Sequence, residues 1–92
     1  MTKEVEPRKV AEWMAQELLR KKELYQEIVV YEIQNRFGKK FTYINRNGNS
    51  AIDKRVLEEF RKITEGKVVW SRRNRNWRFR EEYDDPKSRI TE

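Results

Sequence analysis

Apolar side chains recur every three or four positions over the first third of the chain, which is the spacing of a helix with one buried face. The first predicted helix covers 7–22, and Pro7 suits its first turn because that position needs no backbone N–H donor. The buried face of this helix consists of Val10, Trp13, Met14 and Leu18. A second predicted helix covers 24–37 and ends at Gly38, since glycine readily takes the positive φ that ends helices. Its buried face consists of Ile28, Val29, Ile33 and Phe37.

The stretch 38–50 breaks the helical pattern. Within it, 41–44 is a short apolar run typical of a strand, and an Asn-Gly pair after it is a strong turn signal. Ser50 and Asp53 resemble a capping box with Asp in place of the usual Glu, so we expect a third helix to begin at Ala51. The buried face of this helix consists of Ile52, Val56, Phe60 and Ile63, with Leu57 beside them.

After residue 66 the apolar period changes from helical to alternating, which predicts a β-hairpin. We expect its turn to centre on Asn74 and Arg75, so that Trp70 pairs with Phe79. The core face then consists of Val68, Trp70, Trp77 and Phe79. The outer face consists of Val69, Ser71, Arg73, Arg78 and Arg80. A register slip of one residue would exchange the two faces, and the apolar pairing favours the first register.

These elements predict an α+β fold, with three helices followed by a β-hairpin and a short strand between helices two and three. Ninety-two residues is the size of one compact domain. The last residues, 81–92, contain few apolar side chains, and we interpret them as a flexible acidic tail. The folded domain is therefore expected to cover 1–80.

The net positive charge of the chain lies in the predicted hairpin. The chain has 22 basic and 16 acidic residues, and the segment 67–80 holds six of the basic residues and none of the acidic ones. The 16 basic residues elsewhere equal the 16 acidic ones, so the rest of the chain is neutral. Because the positive field is local, we expect a negatively charged partner to meet the hairpin. The six cations are Lys67, Arg72, Arg73, Arg75, Arg78 and Arg80.

Composition narrows the function classes further. The chain has no cysteine and no histidine, which removes disulfides, thiol chemistry, and the commonest general base and metal ligand. We therefore expect no enzymatic activity and no cofactor or metal. No apolar run approaches the length of a membrane span, and the first residues lack the apolar stretch of a signal peptide. We expect a soluble cytoplasmic protein without a membrane partner.

Several short motifs stand out between residues 10 and 80. They are Val10-Ala11-Glu12-Trp13-Met14, Tyr31-Glu32-Ile33 with Arg36-Phe37-Gly38, Asn47-Gly48-Asn49 with Ala51-Ile52-Asp53, and Val69-Trp70 with Trp77-Arg78. This set resembles small bacterial winged-helix-like proteins classed as a domain of unknown function. The resemblance implies a winged-helix-like domain over 1–80, in which helix three enters the major groove and the hairpin touches the DNA backbone or minor groove. It implies no activity and no site residues.

Two features weaken helix three as a DNA-reading element. A helix-turn-helix joins its second and third helices by about three or four residues, whereas the thirteen residues of 38–50 separate them here. The exposed face of helix three also mixes its cations with Asp53, Glu58 and Glu59, and phosphates repel carboxylates. The hairpin is therefore the stronger candidate for contact with a nucleic acid.

The sequence predicts a non-enzymatic module that binds duplex DNA through its phosphates, with modest sequence selectivity. The planar arginine fork matches phosphate oxygens, and Asn74 and Asn76 add hydrogen-bonding groups at the turn. If about five cations reach phosphates, log affinity falls against log salt with a slope of about −4 to −5. The predicted primary contacts are Arg72, Arg73, Arg75, Arg78 and Arg80. The predicted secondary contacts are Lys54, Arg55, Arg61 and Lys62.

The same arginine and aromatic residues are compatible with three other interpretations. The arginines also suit a solvated strand face that discourages edge pairing, with no ligand at all. The main alternative function is a protein-interaction module that docks an acidic partner protein, because fold does not dictate function. Binding of RNA or single strands ranks third, with aromatic side chains stacking on bases. The aromatic residues in question are Trp13, Trp70, Trp77 and Phe79, whose spacing favours core packing instead.

An acidic metal site on helix three is the last alternative. Asp53, Glu58 and Glu59 beside Lys62 would be the ligands of a magnesium-dependent nuclease. Helical geometry disfavours the site, because Glu58 and Glu59 point about 100° apart around the helix. Asp53 already has a role as a helix cap.

Overall fold

The computed structural model describes residues 6–85, 87 and 89–91. These residues form a mixed α+β fold with more strands than the predicted hairpin. The helices are α1 (Pro7–Lys21), α2 (Gln26–Phe37) and α3 (Lys54–Ile63), with a short 3-10 helix over Lys39–Phe41. The strands are β1 (Glu23–Tyr25), β2 (Thr42–Ile44), β3 (Ser50–Ile52), β4 (Val68–Ser71), β5 (Asn76–Phe79) and β6 (Ile90–Thr91).

The first predicted helix is confirmed by α1, which packs against α3. Its end is fixed at Lys22, which has a φ of 72° and donates its backbone N–H to the Leu18 carbonyl oxygen. Trp13 is half-buried and meets the edge of the Phe37 ring at 5.8 Å between centroids. The core that α1 helps to form includes Val10, Met14, Leu18, Val29, Ile33, Phe41, Ile52, Val56 and Phe60.

The second predicted helix is confirmed by α2, but it begins later because Glu23–Tyr25 forms the strand β1. The predicted burial of Ile28 is wrong: its side chain is 53% exposed, and Val30 is buried instead. The buried face follows Val29, Val30, Ile33 and Phe37, and Ile28 lies about 150° from its centre. The sequence does not reveal which side of the helix is buried, because the four consecutive apolar residues at 28–31 point in all directions around its axis.

The connector between α2 and α3 is a second, small hairpin formed by β2 and β3. The expected turn is present, and the Asn45 side-chain oxygen accepts hydrogen bonds from the backbone N–H groups of Asn47 and Asn49, both at 3.0 Å. The predicted start of helix three at Ala51 is wrong, because Ser50–Ile52 is the strand β3. The cap is Asp53 itself, whose carboxylate accepts the Arg55 backbone N–H at 2.7 Å.

This assignment of the cap gives a direct prediction. Asp53→Ala is expected to lower the free energy of unfolding by about 0.5–2 kcal/mol, because it leaves a backbone donor in the first turn of α3 without an acceptor. Ser50→Ala is the matched control, since Ser50 is exposed and makes no cap, and it should change stability by less than about 0.5 kcal/mol. Urea unfolding followed by circular dichroism measures both. A larger loss of stability for Ser50→Ala than for Asp53→Ala would instead indicate that Ser50 is the helix cap.

The predicted hairpin is confirmed as β4 and β5, in a four-stranded sheet of order β1-β5-β4-β6. Its register differs from the expected one, since Trp70 pairs with Trp77 and not with Phe79. The difference is two residues, and a shift by two leaves every side chain on its predicted face. The turn therefore spans 72–75, and Arg75 takes the left-handed conformation with a φ of 53°.

The outer face of the hairpin is not the solvent-facing surface that the sequence predicted. Val69 and Ser71 are fully buried, and Arg78 and Arg80 are half-buried. Arg73, the fifth residue of that face, is exposed. The alternation of apolar and polar side chains predicted a sheet with one solvent-exposed face. In the structure, a later part of the chain contacts Arg78 and Arg80 on that face.

That later part is the segment predicted as an acidic tail. Its strand β6 runs parallel to β4, where the Trp70 N–H donates to the Arg89 carbonyl oxygen at 2.7 Å and the Arg72 N–H to that of Thr91 at 2.9 Å. Asp84 is buried against Arg78. The described residues of 81–92 thus pack on the sheet despite their few apolar groups. The flexibility of this segment and the domain boundary at residue 80 stay predictions.

Candidate nucleic-acid interface

Residues 72–75 form an exposed turn, here called the hairpin tip. The tip contains Arg72, Arg73 and Arg75, all exposed, together with exposed Asn74. It is held in place by the Asn74 N–H, which donates to the Ser71 hydroxyl oxygen at 3.2 Å, and by the Gln26 N–H, which donates to the Arg75 carbonyl oxygen at 3.0 Å. The hydrogen-bonded β4–β5 pair therefore presents three guanidinium groups at the hairpin tip.

The three arginines of the hairpin tip differ in their surroundings from the arginines of α1, α2 and α3, which are paired with carboxylates. Within the described part of the chain, no carboxylate lies within 4.0 Å of the side-chain nitrogens of Arg72, Arg73 or Arg75. Their positive charge is consequently directed to solvent, where it attracts anions over about a Debye length.

The other two hairpin arginines of the predicted site lie on the covered face. Arg78 forms a two-pronged ion pair with Asp84, with both nitrogen–oxygen distances at 2.9 Å. Arg80 donates to the Asp85 backbone carbonyl oxygen at 2.6 Å. The Arg78 guanidinium and the Glu81 N–H lower the pKa of Asp84 to about 2, so this carboxylate is ionised at physiological pH. Unlike the exposed arginines of the hairpin tip, Arg78 and Arg80 are therefore half-buried and hydrogen-bonded to residues of the following segment.

The predicted secondary contacts lie on α3, and three of the four are paired with carboxylates nearby in sequence. Arg55 contacts Asp53 at 2.9 Å, Arg61 contacts Glu58 at 2.6 Å, and Lys62 contacts Glu59 at 3.3 Å. These cations lower the pKa values of the three carboxyl groups. For Glu59, the hydrogen bond with Arg8 lowers the pKa more than the hydrogen bond with Lys62 does. Lys54 is exposed. The exposed face of α3 therefore carries little net charge toward a phosphate.

The same pairing bears on the acidic metal site considered from sequence. Asp53, Glu58 and Glu59 each hold their own cation, and no group of three potential metal ligands comes together among the described residues. The arrangement is that of a solvated helix face with local ion pairs.

The aromatic residues divide between the core and a groove. Trp13, Trp77 and Phe79 pack against the core, as predicted, and Trp77 meets the edge of the Phe60 ring at 5.5 Å. Trp70 is half-buried and lies 4.7 Å from Trp77 between ring centroids. Both tryptophans line a groove of about 450 Å³ between α3 and the sheet. The groove opens beside Gln26, the residue that anchors the hairpin tip.

Sequence reasoning misplaced one residue of the tip and missed one partner. Asn76 is buried in β5, where its side-chain N–H donates to Glu23 at 3.4 Å, so it adds no hydrogen-bonding group to the turn. The missed partner is Asp84, which pairs with Arg78. The sequence signal for it is proximity, because Asp84 follows Arg78 by six positions, a distance that one reverse turn can close.

Among the described helices, none combines the length and the hydrophobicity that a membrane span requires. The fold and the tip define a small α+β domain that presents an arginine-rich turn at the end of a β-hairpin. The chain belongs to the family of unknown function DUF6953, whose model matches residues 6–79. This match confirms the resemblance to a domain of unknown function and ends at the last residue of β5. No curated protein and no solved structure matches the chain.

Proposed function

We propose that this protein is a non-enzymatic nucleic-acid-binding module that holds duplex DNA through its phosphates with the hairpin tip. The observation that carries the proposal is the exposure of Arg72, Arg73 and Arg75 on one hydrogen-bonded turn, without a described carboxylate beside them. Charge-assisted hydrogen bonds from arginine to phosphate are short and strong, and they position a protein on DNA without reading its sequence.

The order of three helices followed by a β-hairpin supports a winged-helix-like arrangement in which the hairpin is the wing. In this arrangement the usual reader of the major groove is the third helix. Here the cations of α3 are largely neutralised, so the proposal assigns the main contact to the hairpin tip and only a weak contribution to α3. Modest sequence selectivity follows, because phosphate contacts carry little sequence information.

The salt dependence of binding tests the proposal. Three phosphate contacts are expected to give a slope of log affinity against log salt of about −2.7, whereas five would give about −4.5. The measurement is fluorescence anisotropy with a labelled duplex of arbitrary sequence, titrated between about 50 and 200 mM salt. A slope near zero would exclude phosphate contact. Equally tight binding to poly-glutamate would instead favour the alternative function, docking of an acidic protein.

A further inference from the structure

Three hydrogen-bond donors converge on the buried Asp84 carboxylate. Arg78 Nη1 and the Glu81 backbone N–H donate to Oδ2 at 2.9 and 2.7 Å, and Arg78 Nη2 donates to Oδ1 at 2.9 Å. The Asp84 side chain is only 3% exposed, while that of Arg78 is 22% exposed. The donors thus form a small, preorganised pocket for one anion with two parallel oxygens.

A phosphodiester offers the same two-oxygen fork as a carboxylate, and arginine binds both in the same bidentate geometry. The pocket also lies on the strand that leads from the hairpin tip, since Arg78 and Arg75 are only three positions apart in the sequence. A duplex held at the tip would therefore bring phosphates near it.

The occupant of the pocket comes from outside the region that the family model matches. The match covers 6–79, so Arg78 belongs to it, whereas Glu81 and Asp84 do not. The segment that supplies Asp84 is held on the sheet by polar contacts, which are the pairing of β6 with β4, the Arg80 hydrogen bond to Asp85 and the Arg78–Asp84 ion pair itself. The residues after Glu81 bury few apolar groups, so displacement of the Asp84 side chain, with Glu81 left in place just after β5, disrupts polar contacts and not the core.

We propose that Arg78 and the Glu81 N–H form a second phosphodiester site, which the Asp84 carboxylate occupies in the free protein. The inference rests on the proposed function and deepens it, because it adds a phosphate site and assigns Asp84 the role of an internal competitor. In the free protein this site contributes nothing to the net attraction of the hairpin for DNA. When Asp84 leaves, Arg78 adds one phosphate contact to those of the hairpin tip.

The test compares Asp84→Asn with Asp85→Asn in the full chain. Both changes remove one negative charge from the same segment, but the exposed Asp85 side chain does not touch Arg78. Asp84→Asn is expected to tighten duplex binding about fivefold and to steepen the salt slope by about 0.9, the contribution of one phosphate contact. Asp85→Asn is expected to change affinity less than about twofold through the general field.

A change at Arg78 completes the test. Arg78→Gln in the unmodified chain is expected to leave duplex affinity unchanged, because the guanidinium is already occupied, and in the Asp84→Asn background it should cancel the gain. If Asp84→Asn does not fold, as judged by its thermal transition, the test depends on Arg78→Gln in the otherwise unmodified chain. A loss of duplex affinity of about fivefold in that variant would contradict the proposal, because it would show that Arg78 already contacts DNA while Asp84 is present.

The outcomes separate the two proposals. If the unmodified protein binds duplex and Asp84→Asn alters neither affinity nor slope, the second phosphate site is overturned while the proposal for the hairpin tip stands. If neither protein binds duplex, the proposed function fails and the inference fails with it. If only Asp84→Asn binds, the occupied site is supported and the tip alone is insufficient.

Discussion

Replacement of Arg72, Arg73 and Arg75 together by alanine is expected to weaken duplex binding about a hundredfold at moderate salt. Each lost contact between an arginine and a phosphate costs on the order of 1 kcal/mol or more, and each 1.4 kcal/mol is a factor of ten. The salt slope should fall toward zero at the same time, because no counterions are then released by the tip. Fluorescence anisotropy with the labelled duplex measures both quantities.

The matched control for the hairpin tip lies on α3. Replacing Arg55, Arg61 and Lys62 by alanine removes the same number of positive charges, but from cations that already hold a carboxylate. This control is expected to retain affinity within about threefold. An equal loss for both triple variants would show that net charge, and not the tip, governs binding. Thermal transitions at wild-type temperature in both variants establish that the fold is intact.

Two isoleucines of α2 are expected to differ sharply in their contribution to stability. Ile33 is fully buried in the core, whereas Ile28 is 53% exposed on the opposite side of the same helix. Ile33→Ala should lower the free energy of unfolding by about 2–5 kcal/mol, the cost of lost burial plus a cavity. For a domain of this size, Tm should then fall by about 10 °C or more.

Ile28→Ala provides the control, because it removes the same atoms from a solvated position. Its effect on the free energy of unfolding should stay within about 0.5 kcal/mol, and the higher helix propensity of alanine offsets part of any loss. Urea unfolding monitored by circular dichroism measures the free energy of unfolding of both variants, which are comparable if its dependence on urea concentration is the same. A loss above about 2 kcal/mol for Ile28→Ala would mean that this face of α2 is covered in solution.

The helices and the hairpin were predictable because their burial repeats with one clear period. The four-residue spacing of Val10, Met14 and Leu18 defines a single face of α1, and the alternation at Trp77 and Phe79 defines a strand. The spacing failed at Ile28, where four consecutive apolar residues fit any rotation of the helix. The capping pattern also failed at Ser50. A capping box requires a particular backbone conformation at its first residue, and Ser50 is instead paired with β2 as part of a strand.

The candidate site was predictable in location but not in extent. Charge counting placed it in the hairpin, and the exposed arginines of the tip lie there. Local sequence rules cannot assign Arg78 to the covered face, because its environment depends on Asp84, which arrives through a return of the chain and not through periodicity. The strand β1 was missed for a similar reason, since a three-residue strand acquires its structure from a partner far along the chain.

The partnership of β1 with β5 has a consequence for the order in which the protein folds. Asn76 donates a hydrogen bond to Glu23 across 53 positions of sequence, so the edge of the sheet closes a long loop. Such closure is entropically costly and slow compared with the formation of local helices. On the ribosome, α1 and α2 emerge well before β5, and β1 must wait as an unpaired segment between them. We therefore expect the β1–β5 edge of the sheet to form after the local helices and the β4–β5 hairpin, and the Gln26 hydrogen bond to Arg75 to form only once residue 75 has been synthesised.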